Sequence, residues 1–201
     1  MKAAKKFNLR ALIVMAIMSA LGYVLMLLEF PLPMVIPSFI KFDFSELPAI
    51  ITSFALGPVY GVGVCFFKNL LHLFNTTTAC VGEASNFVLG SFFVFIAGLI
   101  YKKKKTFKGA IIATIIGALV MAVVSIPINY YIMYPFYSEF FGLPLVAILG
   151  MYKAILPSVD TIFEALVIFN LPFNFLKGII DALICFACYK KLSPLLKGNM
   201  S

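Results

Sequence analysis

Long apolar runs, interrupted by basic clusters, Gly-Pro steps and isolated polar residues, set the rhythm of this chain. The first, Ala11 to Leu28, is free of charge for 18 residues, enough for a helix across a hydrocarbon core of about 30 Å. Further runs cover Leu47 to Phe67, Ala84 to Tyr101, Gly109 to about Met133 and about Leu171 to Tyr189. Within the second of these, Gly57-Pro58 predicts a break. Proline cannot continue a helix that began before it and glycine permits the turn, so helices are expected at about 44 to 56 and 58 to 74.

Composition turns these runs into membrane spans. Of 201 residues, 63% are hydrophobic and 12% charged, with mean hydropathy +1.06; a water-soluble domain does not sustain such values. The net charge of +8 does not form a basic face with polar contacts, which excludes a nucleic-acid reader and leaves charge as a topology signal. With the Gly57-Pro58 break, Lys2, Lys5, Lys6, Arg10, Lys102, Lys103, Lys104, Lys105, Lys108, Lys190, Lys191 and Lys197 fall on one side, and none of the eight acidic residues joins them. The expected fold class is therefore an all-α membrane protein of six transmembrane helices with both termini cytoplasmic, one integral domain over 1–201. A re-entrant hairpin formed by helices two and three preserves the same parity.

The first run is too long for a signal-peptide core and lacks a small-x-small cleavage site, so it reads as a retained span. Two outer connections, Glu29 to Lys41 and Tyr134 to Phe169, carry prolines among apolar residues and read as structured covers, the second with a surface helix around Ser158 to Ile168 and an aromatic belt of Tyr130, Tyr131, Tyr134 and Tyr137. Cys185 and Cys188 form a C-x-x-C inside an apolar helix, without a second pair or a nearby histidine, and read as helix-packing residues.

Polar groups inside a bilayer are costly, so each is a functional candidate. Asn170, Asn174, Lys177 and Asp181 recur at spacings that keep them on one stripe of the last helix, with Asn170 as a cap near Pro172. Asn86, Asn129, Lys68, Asn69 and His72 reach the same outer depth from three other helices. A polar pocket opening outward follows, with Phe30, Phe39, Phe42, Phe44, Phe87, Tyr130, Tyr131 and Phe175 as candidate walls. Simpler readings stand beside it: Lys177 and Asp181 as an i,i+4 pair, Lys68 snorkelling outward, the asparagines as interhelical glue, and His72 as a neutral interfacial side chain.

The ordered strings Asp43-Phe44-Ser45-Glu46-Leu47-Pro48-Ala49, Gly57-Pro58, Lys68-Asn69-Leu70-Leu71-His72, Gly82-Glu83 with Asn86-Phe87, Asn129-Tyr130 and Pro172-Phe173-Asn174-Phe175-Leu176-Lys177-Gly178 resemble the riboflavin-specific substrate-binding (S) components of energy-coupling factor vitamin transporters. The resemblance implies a six-helix vitamin receptor in a prokaryotic cell membrane that binds riboflavin as transported ligand, uses no cofactor, is not an enzyme, and docks on a transmembrane coupling protein (T component) bearing two ATPases. It further implies Asn86, Asn129, Asn174 and Lys177 as ligand contacts, Phe39, Lys41 and Asp43 as a lid from the first outer loop, and Ala16 and Ala20 as small residues meeting the coupling protein. Packing within the bundle is the other reading of Ala16 and Ala20. An S component for another vitamin, an ion-coupled secondary transporter using Lys177, Asp181 and Glu83, and a membrane enzyme are the competing functions; a single histidine and no cluster of inward acids speak against the last.

Overall fold

The computed structural model describes residues 9–140 and 142–197, with side chains through Ala187. Lys2, Lys5 and Lys6, and the side chains of Cys188, Lys190, Lys191 and Lys197, lie outside the described residues. The expected apolar runs become helices: α1 (Leu9–Leu27), α2 (Glu46–Leu56), α3 (Pro58–His72), α4 (Val81–Lys103), α5 (Phe107–Ile128), α6 (Tyr134–Phe140), α7 (Leu145–Lys153), α8 (Ile162–Ala165) and α9 (Leu171–Lys197). Four helical stretches are long and apolar enough to cross a membrane, namely Leu9–Leu27, Val81–Lys103, Phe107–Phe140 and Ile162–Ala187.

The break falls at Gly57-Pro58. Gly57 takes φ 113°, a left-handed conformation that a side chain would strain, and Pro58 opens α3, where its missing N–H costs nothing. α2 is short because it is central. Every residue from Glu46 to Phe54 is buried, so α2 is enclosed by its neighbours rather than by lipid. The outer helices are the reverse: on α1, Ile13, Ile17, Leu21 and Val24 form an exposed apolar stripe, the surface a bilayer would solvate.

Close approaches fix the helix directions. Gly63 of α3 lies against Met15 of α1, and Gly22 of α1 against Lys68 of α3, so these two run the same way. Gly98 of α4 meets Ser53 and Pro58, and Gly90 meets Glu46 and Cys65, which makes α4 antiparallel to α3. Phe107 at the start of α5 packs on Phe186 near the end of α9. Arg10, Lys102, Lys103, Lys104, Lys105 and Lys108 therefore share one end of the bundle, as the charge pattern requires.

The second cover differs from expectation in its helix and in its tyrosines. The helix expected around Ser158 to Ile168 is not a separate surface element: α8 continues through a π-helical turn, Leu166–Asn170, into α9. A second π turn, Asn129–Met133, joins α5 to α6. Each lies just before a proline, Pro172 and Pro135, whose ring would clash with the carbonyl four residues back, and the wider turn relieves that clash. Asn170 is consequently inside a helix and not its cap. The surface helix over this region is α7, while Phe30–Pro31 and Lys41–Phe42 form a two-stranded antiparallel hairpin in the first cover.

The aromatic belt is split. Tyr130 and Tyr131 are exposed, but Tyr134 and Tyr137 turn inward into a second apolar core with Ile36, Phe42, Ile148 and Tyr152 beneath the covers. There Tyr134 Oη lies 2.5 Å from Tyr152 Oη, Tyr152 Oη donates to Asn170 Oδ1 at 2.5 Å, and Asn170 Nδ2 donates back to Tyr134 at 3.2 Å. This closed ring ties α7 to α6 and the last helix.

Candidate functional site

A cavity lined by apolar and polar side chains from several elements lies between the covers and the bundle. All seven expected ligand-site residues line it: Phe39, Lys41, Asp43, Asn86, Asn129, Asn174 and Lys177. They come from the first cover, α4, the π turn after α5, and α9. Polar residues on separate helices meet here because each sits near the outer end of its own span.

The floor is a charge network that the sequence left undrawn. Lys177 does not pair with Asp181: its Nζ donates to Asp43 Oδ2 at 2.9 Å and lies 3.2 Å from Glu46 Oε2. Lys68, fully buried, turns inward rather than snorkelling, and donates to Ser45 Oγ, to Glu46 Oε1 at 2.7 Å and to Asn86 Oδ1 at 3.2 Å. Asp43 Oδ1 accepts the Ser45 backbone N–H at 2.8 Å, and Oδ2 also receives Asn86 Nδ2 at 3.4 Å. Two carboxylates and two ammonium groups thus balance in a buried site, the condition under which such charges are tolerated. Burial alone would raise the Asp43 carboxyl, but Lys177 and Lys68 with the Ser45 and Lys177 hydrogen bonds outweigh it and hold it well below the ordinary carboxylate range. Asp43, 2% exposed, thus anchors the first cover to the cavity floor.

Asp181 lies one turn deeper, also buried, and neither carboxylate oxygen has a hydrogen-bond partner among the described residues. Lys41 sits at the rim, bonded to Glu29 Oε1 at 2.5 Å and to Thr77 Oγ1 at 3.2 Å. His72 is not interfacial: it is buried on the cavity wall, with Nδ1 2.9 Å from Glu83 Oε1, while Glu83 Oε2 accepts the hydroxyls of Thr76 and Thr78. The aromatic wall is narrower than expected. Phe39 lines the cavity, edge-on to Tyr134 and Tyr137, and Phe173 joins them. Phe30 is 40% exposed, and Phe87 packs on Phe66. Glu46 and Tyr134 were missed as site residues, and Glu83 was considered only for an ion-coupled pathway; both acids carried a signal, lying near the outer ends of apolar runs.

The amides have assignable polarity. Asn174 faces the backbone carbonyl of Asn170 at 2.8 Å, so the atom there is Nδ2 and its carbonyl is left for the cavity. Ala16 and Ala20 do not line this cavity and are exposed on α1.

Comparisons with known proteins agree with this geometry. Residues 10–189 match the family described as "ECF transporter, substrate-specific component". The chain is 32% identical over 200 residues to the riboflavin transporter RibU of Staphylococcus aureus, covering 98% of this chain and 99% of that protein. It is 29% identical to the riboflavin transporter FmnP of Bacillus subtilis, covering 96% and 97% respectively. Its fold superposes with TM-score 0.72, at 31% identity and covering 93% of this chain and 97% of the other, on a solved S component of a bacterial ECF transporter. With the ordered motifs and a cavity at the end of the bundle opposite the basic cluster, these matches show that the chain belongs to the substrate-specific components of ECF transporters.

Proposed function

We propose that this chain is the riboflavin-binding S component of an ECF importer in the plasma membrane, and that it takes up riboflavin with energy supplied by a T component and two ATPases. The observation that carries the reading is the cavity itself. Its apolar wall of Phe39, Leu89, Met121, Tyr137 and Phe173 suits a flat ring, and its polar edge of Asn86, Asn129, Asn174 and Lys177 offers the donors and acceptors that the ring edge and a ribityl tail need. The relatives that match over nearly their full length are riboflavin transporters, which favours this vitamin over others.

Asn86, Asn129, Asn174 and Lys177 are the proposed ligand contacts, with Phe39 stacking from the cover. Lys41 and Asp43 close the cover, Lys41 through Glu29 at the rim and Asp43 through Lys177 at the floor. Ala16 and Ala20 are the proposed docking position for the T component, since small exposed residues on a lipid-facing helix let a second helix approach. Calorimetry of the purified chain with riboflavin, thiamine, folate and pantothenate tests the assignment. One riboflavin bound in strong preference is expected, and preference for another vitamin overturns it. An ion-coupled transporter would instead carry out uptake alone in proteoliposomes.

A further inference from the structure

The least expected residue of the network is Lys68. It is fully buried behind Asn86, which itself lines the cavity, and its ammonium has an acceptor for each of its three N–H groups: Ser45 Oγ, Glu46 Oε1 and Asn86 Oδ1. An ammonium can only donate. The Asn86 atom that faces it must therefore be the carbonyl oxygen, and the amide nitrogen must point the other way, where it lies 3.4 Å from Asp43 Oδ2 on the cavity floor. An amide nitrogen carries two N–H groups. One is directed at Asp43, and the second is left for a ligand.

We propose that Lys68 is a positioning residue that turns the Asn86 amide so that it presents an N–H donor, and not its carbonyl, to the bound molecule. This rests on the cavity being the riboflavin site. The consequence is a polarised reading edge: Asn86 and Lys177 donate to ligand acceptors, while Asn174, whose nitrogen is held by the Asn170 carbonyl, accepts from a ligand N–H or O–H. Such a pattern suits the alternating carbonyl and imide groups of a flavin and disfavours a ring whose donors and acceptors are exchanged. A freely rotating amide would make no such distinction. Glu46 completes the device, because its carboxylate holds Lys68 through Oε1 and Lys177 through Oε2 and so couples the two donors.

The test is a set of riboflavin affinities, each with a melting temperature measured on the same protein. Lys68→Met and Asn86→Ala should each weaken binding by about 10-fold or more, the scale of a hydrogen bond in which a buried partner is left unpaired. The double variant should be no weaker than Asn86→Ala alone, since Lys68 acts through Asn86; a purely structural Lys68 would add its own loss. Asn86→Asp, which keeps the acceptors and removes the donors, should bind as poorly as Asn86→Ala. If Lys68→Met does not fold, Asn86→Asp, which leaves the Lys68–Glu46 and Lys177–Glu46 pairs in place, decides alone. Additive losses, or riboflavin affinity retained by Lys68→Met or by Asn86→Asp, would overturn the proposal. Failure of the unsubstituted protein to bind riboflavin would instead overturn the functional reading beneath it.

Discussion

Lys177 carries the sharpest consequence of the network at the scale of single residues. Replacing it by Met keeps most of the stem and removes the donors, so riboflavin binding should weaken by about 1.5 to 3 kcal/mol in calorimetry, the range for hydrogen bonds to charged groups. Asp181 should behave in the opposite way. It is buried and its oxygens have no hydrogen-bond partner among the described residues, so Asp181→Leu should raise the melting temperature and leave riboflavin affinity unchanged. A loss of affinity in that variant would mean that Lys177 depends on Asp181 after all. The contrast shows what a sequence displays and what it hides. Intramembrane cost made Asn86, Asn129, Asn174 and Lys177 visible as candidates, because each is polar within an apolar run. Their partners stayed hidden: Lys177 and Asp43 are 134 positions apart, and the nearer acid at i+4, offered as the simpler reading, is not the partner. Lys68 was equally opaque, since its length permits either an outward or an inward turn.

Among the elements, backbone chemistry was legible where proline and glycine act together, and not where proline acts with a neighbouring turn. Gly57-Pro58 ends one helix and begins the next, as expected. Pro172 and Pro135 looked equally disruptive, yet a π turn ahead of each lets the helix pass, which is why α8 merges with α9 and Asn170 lies inside a helix. The packing of α2 against α3 and α4 depends on close approach at Gly61, Gly90 and Gly98. A Cβ on Gly98 would collide with Ser53 Oγ and stand 3.0 Å from Pro58 Cβ, while Ser53 donates to the Val94 carbonyl at 2.7 Å. Gly98→Val should therefore destabilise the bundle by about 1 to 3 kcal/mol, the cost of overpacking, read as a lower melting temperature in detergent. The same substitution lies at the basic end of the bundle, away from the cavity, so the folded fraction should bind riboflavin normally.

For the whole molecule, the arrangement separates capture from transport. The cavity occupies one end under two covers, Arg10, Lys102, Lys103, Lys104, Lys105 and Lys108 gather at the other, and α1 presents an exposed face bearing Ala16 and Ala20. Replacing Ala16 and Ala20 together by Leu should leave melting temperature and riboflavin affinity nearly unchanged, because neither side chain is enclosed by the bundle. It should abolish ATP-dependent uptake in vesicles that also contain the T component and the ATPases. Preserved uptake would remove the case for docking on this face. The order of the apolar helices follows from apolar length and the Gly57-Pro58 break, both local properties, whereas the cavity follows from contacts between covers and helices that no local pattern records. The central claim, that this cavity holds one riboflavin, is tested most directly by calorimetric titration of the purified chain with riboflavin. A single tight site that is lost in Lys177→Met is expected; an unsubstituted protein that shows no riboflavin binding, or binds it equally well without the Lys177 ammonium, would contradict the account.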